Sequence, residues 1–362
     1  MIKTKQQKGF ELGQWWSGWG YTPYKMSKFE EYDLYVRNKD FLISDGVITF
    51  TDTNGKLMAL KPDVTLSIIK NSHYQPGCVQ KMHYCENVYR VSENSGCFKE
   101  ILQAGLECTG DIDDATLYEV LTLAAYSLDS DRAVLDIAHR GVVEDLLAPC
   151  APTEVARTAV YRCLREKNPH ELAAVCAAHS IPADTAEKLG KLIALYGKPE
   201  KVLPKLFELL GDTAPLRQLK RLTDGFAGRR TAEMLRIDFS VVAAGKYYNG
   251  IVFKGYLDGV PDPVLSGGQY DLLMQNMGLR GGAVGFAVYL DYLDDLDREK
   301  PADYDVDALL LYDENTDLST LGLDRFTGNL VSNGSVMIQK AIPEGLTYRQ
   351  LYRIENGEVK PL

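Results

Sequence analysis

The sequence predicts an α+β protein in which an antiparallel sheet with flanking helices is split by a helical insertion and followed by a small α/β module. Short β-branched and aromatic runs, typical of strands, occupy residues 1–113 and 227–295. Residues 114–226 instead show the apolar spacing of amphipathic helices. Because the two flanking segments share one character, we expect them to form one sheet domain around the insertion, with residues 302–362 as the separate module.

The strand signals are strongest beside turn dipeptides. Asp45-Gly46 and Asn54-Gly55 flank a β-branched segment, which predicts a hairpin strand between them. A helix is expected near Phe10. Other runs have the apolar and aromatic content of buried strands: residues 79–89, 237–242 and 247–253.

The helical segment carries start and stop signals. Asn168 offers an N-cap oxygen, Pro169 suits the first helical position, and Glu171 completes a capping pattern. Apolar residues from Leu189 onward recur at helical spacing, and Gly197 is placed to end that helix. These signals predict an all-helical insertion.

The C-terminal part follows an acidic stretch that ends at Pro301 and is typical of a linker. It contains an apolar run at residues 308–312 and a β-branched run at 336–338. Asn356-Gly357 predicts a closing hairpin. The composition fits a small α/β module.

Composition narrows the class of protein. The net charge of -10 over 362 residues argues against a nucleic-acid binder, since counterion release needs clustered Lys and Arg. The sequence has no signal-peptide or membrane-spanning run, so we expect a cytoplasmic protein. The 7 cysteines contain no C-x-x-C pair, which predicts reduced thiols and neither a disulfide framework nor a metal site.

Four separated segments place polar residues inside apolar runs: residues 60–65, 100–107, 247–253, and 266–271 followed by 283–287. On a strand, Gln103 and Glu107 would face the same side. A buried carboxylate needs partners, so these segments indicate a pocket for a small cationic or amphoteric ligand. The alternative is that these are separate hydrogen-bonded core residues. The candidate pocket residues are Asp63, Thr65, Gln103, Glu107, Tyr248 and Tyr270.

In order and spacing, these segments resemble the catalytic domain of histidyl-tRNA synthetase and its non-catalytic paralogue, the regulatory subunit of ATP phosphoribosyltransferase. The resemblance covers most of residues 8–291. It implies a class II aminoacyl-tRNA synthetase-like antiparallel sheet and a dimer, although Ser27 replaces the proline of the first family motif.

The resemblance also implies roles for individual residues. Asp63, which stands where the synthetase usually has Glu, and Thr65 would receive the α-amino group of histidine, with Gln103 near the same end. Glu107 and Tyr248 would bind the imidazole nitrogens. Tyr270 would close the pocket, and Tyr247 and Arg90 complete the expected histidine-binding set.

The family's catalytic arginines are mostly absent. Tyr292, Ala243 and Gln269 stand where the resemblance places arginines, and Arg90 alone keeps one. Because such arginines stabilise the transition state of adenylate formation, we expect no catalytic residues and no cofactor.

Two functions of different class follow from the resemblance. The first is a regulatory subunit that senses L-histidine and joins a short-form ATP phosphoribosyltransferase catalytic subunit, as a homodimer within a hetero-oligomer. The second is an authentic histidyl-tRNA synthetase, or a paralogue that senses histidine or tRNA. The missing arginines favour regulation.

Overall fold

The computed structural model describes residues 5–39, 46–91, 96–150, 153–242, 247–293, 304–312, 334–355 and 358–362. The chain forms two compact units, Lys5–Leu296 and a second that contains Asp297–Leu362. Among the described residues, no helix has the length and apolar content to cross a bilayer, and no disulfide joins the cysteines.

The larger unit contains twelve described strands and eleven described helices. The strands are β1 Thr22–Pro23, β2 Phe29–Glu31, β3 Thr49–Thr51, β4 Leu57–Leu60, β5 Val79–Val91, β6 Phe98–Gly110, β7 Val134–His139, β8 Tyr196–Gly197, β9 Leu235–Asp238, β10 Ile251–Tyr256, β11 Leu265–Gln269 and β12 Gly282–Tyr289. The helices are α1 Lys5–Ser17, α2 Tyr32–Arg37, α3 Thr65–Lys70, α4 Asp114–Ser127, α5 Arg140–Leu147, α6 Glu154–Arg165, α7 Pro169–Ala178, α8 Ala183–Ala194, α9 Pro199–Leu210, α10 Ala214–Asp224 and α11 Asp271–Asn276.

Nine of these strands form one sheet in the order β1-β5-β6-β12-β11-β10-β7-β9-β8. The six strands from β5 to β7 in this order are paired antiparallel throughout. At the edges, β1 runs parallel to β5 and β9 parallel to β7. An antiparallel sheet with flanking helices is the predicted fold class, and the observed sheet confirms it.

One face of the sheet packs into the main core. Phe253 and Phe286 project from adjacent parts of the sheet, and Trp16 of α1 meets Phe286 edge to face at 5.7 Å. Leu117 and Leu121 of α4 join the same buried cluster. Since side chains alternate along a strand, this core leaves the opposite face of β6 and β12 for polar residues.

The hairpin strand predicted between the two turn dipeptides is confirmed for Thr49–Thr51, because β3 pairs antiparallel with β4. The strand predicted at 79–89 is confirmed as β5. The run at 237–242 is a strand only to Asp238, whose side chain accepts from the Ser240 N–H and caps a short 3₁₀ turn. The run at 247–253 becomes a strand only at Ile251.

The prediction that residues 114–226 are all helical is wrong at β7, which lies inside the sheet between β10 and β9. Leu135 and Ile137 are fully buried in this strand. Because the strand is short and lies between two segments with helical spacing, the sequence pattern did not reveal it. In the helical part, Asn168 caps α7 as predicted, accepting from the Glu171 N–H. The helix α8 ends at Ala194 and not at Gly197, which lies in β8.

The smaller unit contains β13 Val306–Leu311, β14 Val336–Gln339, β15 Tyr348–Glu355 and β16 Glu358–Pro361. They form one sheet in the order β14-β13-β15-β16. The antiparallel pairing of β15 with β16 confirms the closing hairpin, although its turn residues lie outside the described residues. The predicted linker before Pro301 also lies outside them.

Candidate functional site

A narrow, almost filled cavity with about 20 Å³ of free space lies on the polar face of the central sheet. This space holds about one water molecule and is far below the size of small-molecule sites, so a larger ligand would enter only if the lining side chains moved apart. It brings together seven of the eight predicted site residues: Asp63, Thr65, Gln103, Glu107, Tyr247, Tyr248 and Tyr270. The residues come from four separated segments, as the order of the motifs suggested.

Strand β6 supplies the floor of the cavity. Gln103 and Glu107 are both buried and face it, while Leu102 and Leu106 point to the other face. Gly285 of β12 lies directly opposite Glu107, and a Cβ at that position would overlap the Glu107 carboxylate. The glycine is therefore needed for the carboxylate to lie flat across the sheet.

Glu107 is the best-satisfied acid of the site. The Thr65 hydroxyl donates to its Oε1 at 2.7 Å, and the Tyr270 hydroxyl donates to its Oε2. Burial nevertheless raises the pKa of Glu107 to about 8, against the opposing effect of these two hydroxyls. A ligand that brings an N–H or a positive charge would stabilise the ionised form.

Asp63 lies at the entry to α3, where its Oδ1 accepts from the Leu66 N–H at 2.9 Å. Burial raises the pKa of this carboxyl, and the Leu66 N–H and the charge of Arg90 oppose the rise. Thr65, the first residue of α3, faces Glu107. The start of this helix thus presents an acid and a hydroxyl to the cavity.

Three tyrosines form an aromatic wall. The ring centroids of Tyr247 and Tyr248 are 4.7 Å apart, and those of Tyr247 and Tyr270 are 5.6 Å apart. Tyr248 lies against Gly268 of β11, where a Cβ would come within 2.6 Å of its ring. The three rings lie edge to face or tilted to one another, and such a wall can contact a planar ligand group.

Buried donors without an acceptor lie at the Asp63 end. Among the described residues, Arg90 Nη2, Gln103 Nε2 and Tyr35 Oη have no hydrogen-bond partner. Arg90 does not line the cavity itself; its Nε donates to the Pro62 carbonyl at 2.9 Å. Since buried donors are almost always satisfied, this end can accept an acceptor-rich group such as a carboxylate.

Sequence reasoning missed several lining residues. Tyr84 and Tyr289 both reach the cavity, as does Ser266. Tyr84 lies opposite Gly105, and Tyr289 lies opposite Gln103. The alternation of β5 could have suggested Tyr84, but the place of Tyr289 depends on strand register.

Of the three positions where the resemblance places arginines, the two that the structure describes hold side chains with other partners. The Gln269 amide donates to Asp271 Oδ2 at 2.7 Å, and Tyr292 packs edge to face on Tyr289 at 6.1 Å. Ala243 lies outside the described residues. No group of His, Cys, Asp and Glu in the described ranges has the arrangement of a metal site.

The fold defines a class II synthetase-like protein. A family model described as histidyl-tRNA synthetase matches residues 7–293, so the chain belongs to the histidyl-tRNA synthetase family.

Its relatives include the ATP phosphoribosyltransferase regulatory subunit of Oceanobacillus iheyensis, 26% identical over 322 residues, which are 85% of this chain and 78% of that protein. The protein of the same name from Symbiobacterium thermophilum is 29% identical over 67% of this chain and 63% of its own length. These names confirm the resemblance to the non-catalytic branch of the family and do not favour the aminoacylating enzyme.

Solved structures show the same fold. An ATP phosphoribosyltransferase regulatory subunit/histidyl-tRNA synthetase from Bacillus halodurans has a TM-score of 0.77 at 22% identity, covering 98% of this chain and 96% of its own. A chain of an ATP phosphoribosyl transferase complex from Thermotoga maritima has a TM-score of 0.62 at 20% identity, covering 79% and 97%.

Proposed function

We propose that the chain is the non-catalytic regulatory subunit of an ATP phosphoribosyltransferase, which binds L-histidine in this pocket and transmits feedback inhibition to a short catalytic subunit. The observation that carries the proposal is the unequal retention of the family site. The ligand pocket keeps its carboxylates and tyrosines, whereas Gln269 and Tyr292 occupy arginine positions. The names of the relatives support the same assignment.

Once its lining side chains move apart, the pocket would offer groups that suit a zwitterion with an imidazole ring. An imidazole N–H would donate to Glu107, with the tyrosine wall against the ring. The α-amino group would pair with Asp63, which is buried beside Thr65. The α-carboxylate would accept from the unsatisfied amide of Gln103, and Arg90, which does not line the cavity, would reach it only after its side chain moved.

The alternative, histidyl-tRNA synthetase activity, needs charge stabilisation that the described site lacks. We expect no histidine-dependent exchange of pyrophosphate into ATP above a no-enzyme blank, because Tyr and Gln cannot replace arginine at the phosphates. A histidyl-tRNA synthetase from the same organism serves as the positive control. Exchange that depends on histidine would overturn the non-catalytic assignment.

The regulatory role is tested by mixing the chain with the short catalytic subunit encoded in the same genome. We expect the two to co-purify, the mixture to be more active than the catalytic subunit alone, and L-histidine to inhibit only the mixture. A ligand shifts an equilibrium only by its differential affinity for the two states, so inhibition requires a pocket that differs between them. No complex and no change in rate would contradict the proposal. The homodimer and the cytoplasmic location stay predictions.

A further inference from the structure

We infer that Asn249, Asp271 and Gln269 form a brace that positions the tyrosine wall and thereby sets the affinity for histidine without touching the ligand. The inference rests on the proposed function for its ligand, although the brace itself is a feature of the fold. None of the three residues lines the cavity. They are therefore positioning residues.

Asp271, the first residue of α11, is the centre of the brace. Its Oδ1 accepts from the Ala283 N–H at 2.9 Å, which ties it to β12. Its Oδ2 accepts from the Asn249 side-chain amide at 3.2 Å and from the Gln269 amide at 2.7 Å. One carboxylate thus joins a helix, two neighbouring strands and the segment before β10.

Asn249 is held on three sides. The Asp271 N–H donates back to Asn249 Oδ1 at 2.8 Å, so the two residues are bonded reciprocally. The Asn249 N–H donates to the Gln269 carbonyl at 2.9 Å. At the next position, a Cβ on Gly250 would overlap the Gln269 side chain, so this segment packs directly on that residue.

The braced segment carries the wall. Tyr247 and Tyr248 immediately precede Asn249, and neither lies in a strand. Their rings must lie within a few ångströms of Tyr270 and of the sheet to line the cavity. Because Asn249 is held at its backbone and at both ends of its side-chain amide, the backbone positions of Tyr247 and Tyr248 are held as well. Charge-assisted bonds to a carboxylate are stronger than neutral ones, which favours one position of the segment.

The contacts of Gln269 give a structural reason for a glutamine at a position where the resemblance places an arginine. Its amide nitrogen is used by Asp271, and its side chain fills the space under Gly250. The residue has therefore a structural task in place of a phosphate contact.

The test is Asn249→Asp, which keeps the size of the side chain but sets two carboxylates against each other. We expect the histidine Kd, measured by calorimetry on the full chain at pH 8, to rise about tenfold or more. Because protonating one carboxylate restores a hydrogen bond, the defect should shrink near pH 5 relative to the wild type. The double variant Asn249→Asp/Asp271→Asn restores the pair with reversed polarity and should recover most of the affinity.

Hydrogen exchange without ligand separates the brace from the proposed function. Amides of residues 247–256 should exchange faster in Asn249→Asp and return towards wild-type protection in the double variant. If no variant and no wild-type chain binds histidine, the proposed function fails, and these exchange rates alone decide the brace. Unchanged affinity and unchanged exchange in a folded Asn249→Asp chain would overturn it. Should that variant not fold, Gln269→Ala, which removes a single bond, must still show faster exchange, and wild-type protection there would refute the inference.

Discussion

Glu107 and Asp136 are two buried carboxylates on the same face of the central sheet, and their surroundings differ. Lys254 of β10 lies opposite Asp136 on one side and opposite Ser266, which lines the cavity, on the other. Because directly opposed side chains share a face, Asp136 lies beyond the cavity along one row. Both acids are nine-tenths buried or more.

The two acids are stabilised by different groups. Hydroxyl groups of Thr65 and Tyr270 satisfy Glu107, and burial raises its pKa to about 8. Burial and the charge of Asp238 raise the pKa of Asp136 to about 7, opposed by the cations Lys167, Arg236 and Lys254. Within the described part of the chain, Asp136 Oδ1 has no hydrogen-bond partner.

The difference teaches that burial alone does not identify a ligand site. Hydroxyl donors can rotate away and be replaced by a ligand N–H, whereas the cations around Asp136 only partly offset the effects of burial and of Asp238 on its charge. Glu107 also opens on a cavity lined by aromatic rings. We therefore expect substitution of Glu107 to change ligand affinity and substitution of Asp136 to change stability.

The largest expected effect is on affinity. Glu107→Gln keeps the volume of the side chain but removes the charge that accepts the ligand N–H, which should cost about 1.5 to 3 kcal/mol, or roughly tenfold to a hundredfold in the histidine Kd. By linkage, the histidine concentration that inhibits the assembled complex should rise by the same factor while uninhibited turnover is unchanged.

The matched control for that change is Asp136→Asn, which alters a buried acid on the same face and should leave the histidine Kd unchanged. Calorimetry on both variants makes the comparison. Equal losses in the two variants would mean that the cavity at Glu107 is not the effector site.

A second effect is the pH dependence of binding. The ionised form of Glu107 accepts the ligand N–H, and its pKa of about 8 leaves it mostly protonated at pH 6.5. Binding therefore releases a proton, and affinity should rise between pH 6.5 and 8, by up to about tenfold per pH unit. Calorimetry in buffers of different ionisation enthalpy would show the release, and a flat profile in the wild type would contradict it. Glu107→Gln should be flat.

The smallest effect is on stability. The pKa of Asp136 is raised from 3.8 in its ordinary state to about 7, so the folded chain binds the proton more tightly than the unfolded chain. Stability is then lost as pH rises through this interval, and the full penalty is present at pH 8. Asp136→Asn should raise the unfolding free energy by about 1 kcal/mol at pH 8 and by less at pH 5. Thermal melts at both values test this, and a loss of stability at pH 8 would show that the cations need the charge.

Local pattern predicted the fold and the floor of the site because strand alternation is a short-range property. The spacing of Gln103 and Glu107 was enough to place them together. The features that the sequence did not predict depend on contacts between distant parts of the chain. The strand β7 could not be distinguished from its helical neighbours, and Tyr289 entered the site only through its pairing with Gln103. The unsatisfied hydroxyl of Tyr35 near Asp63 gave no signal in the sequence.

The pairing of β6 with β12 has a consequence for biosynthesis. These strands lie on either side of the insertion, yet Glu107 meets Gly285 across them. Contacts between such distant parts of a chain form slowly, and during translation they must wait until the second strand has left the ribosome. A nascent chain would therefore have no complete pocket for histidine until most of the protein has been synthesised. After folding, a ligand that binds only the complete pocket would stabilise the folded state. A higher histidine concentration in the cell would then lower the unfolded fraction and slow degradation of the subunit.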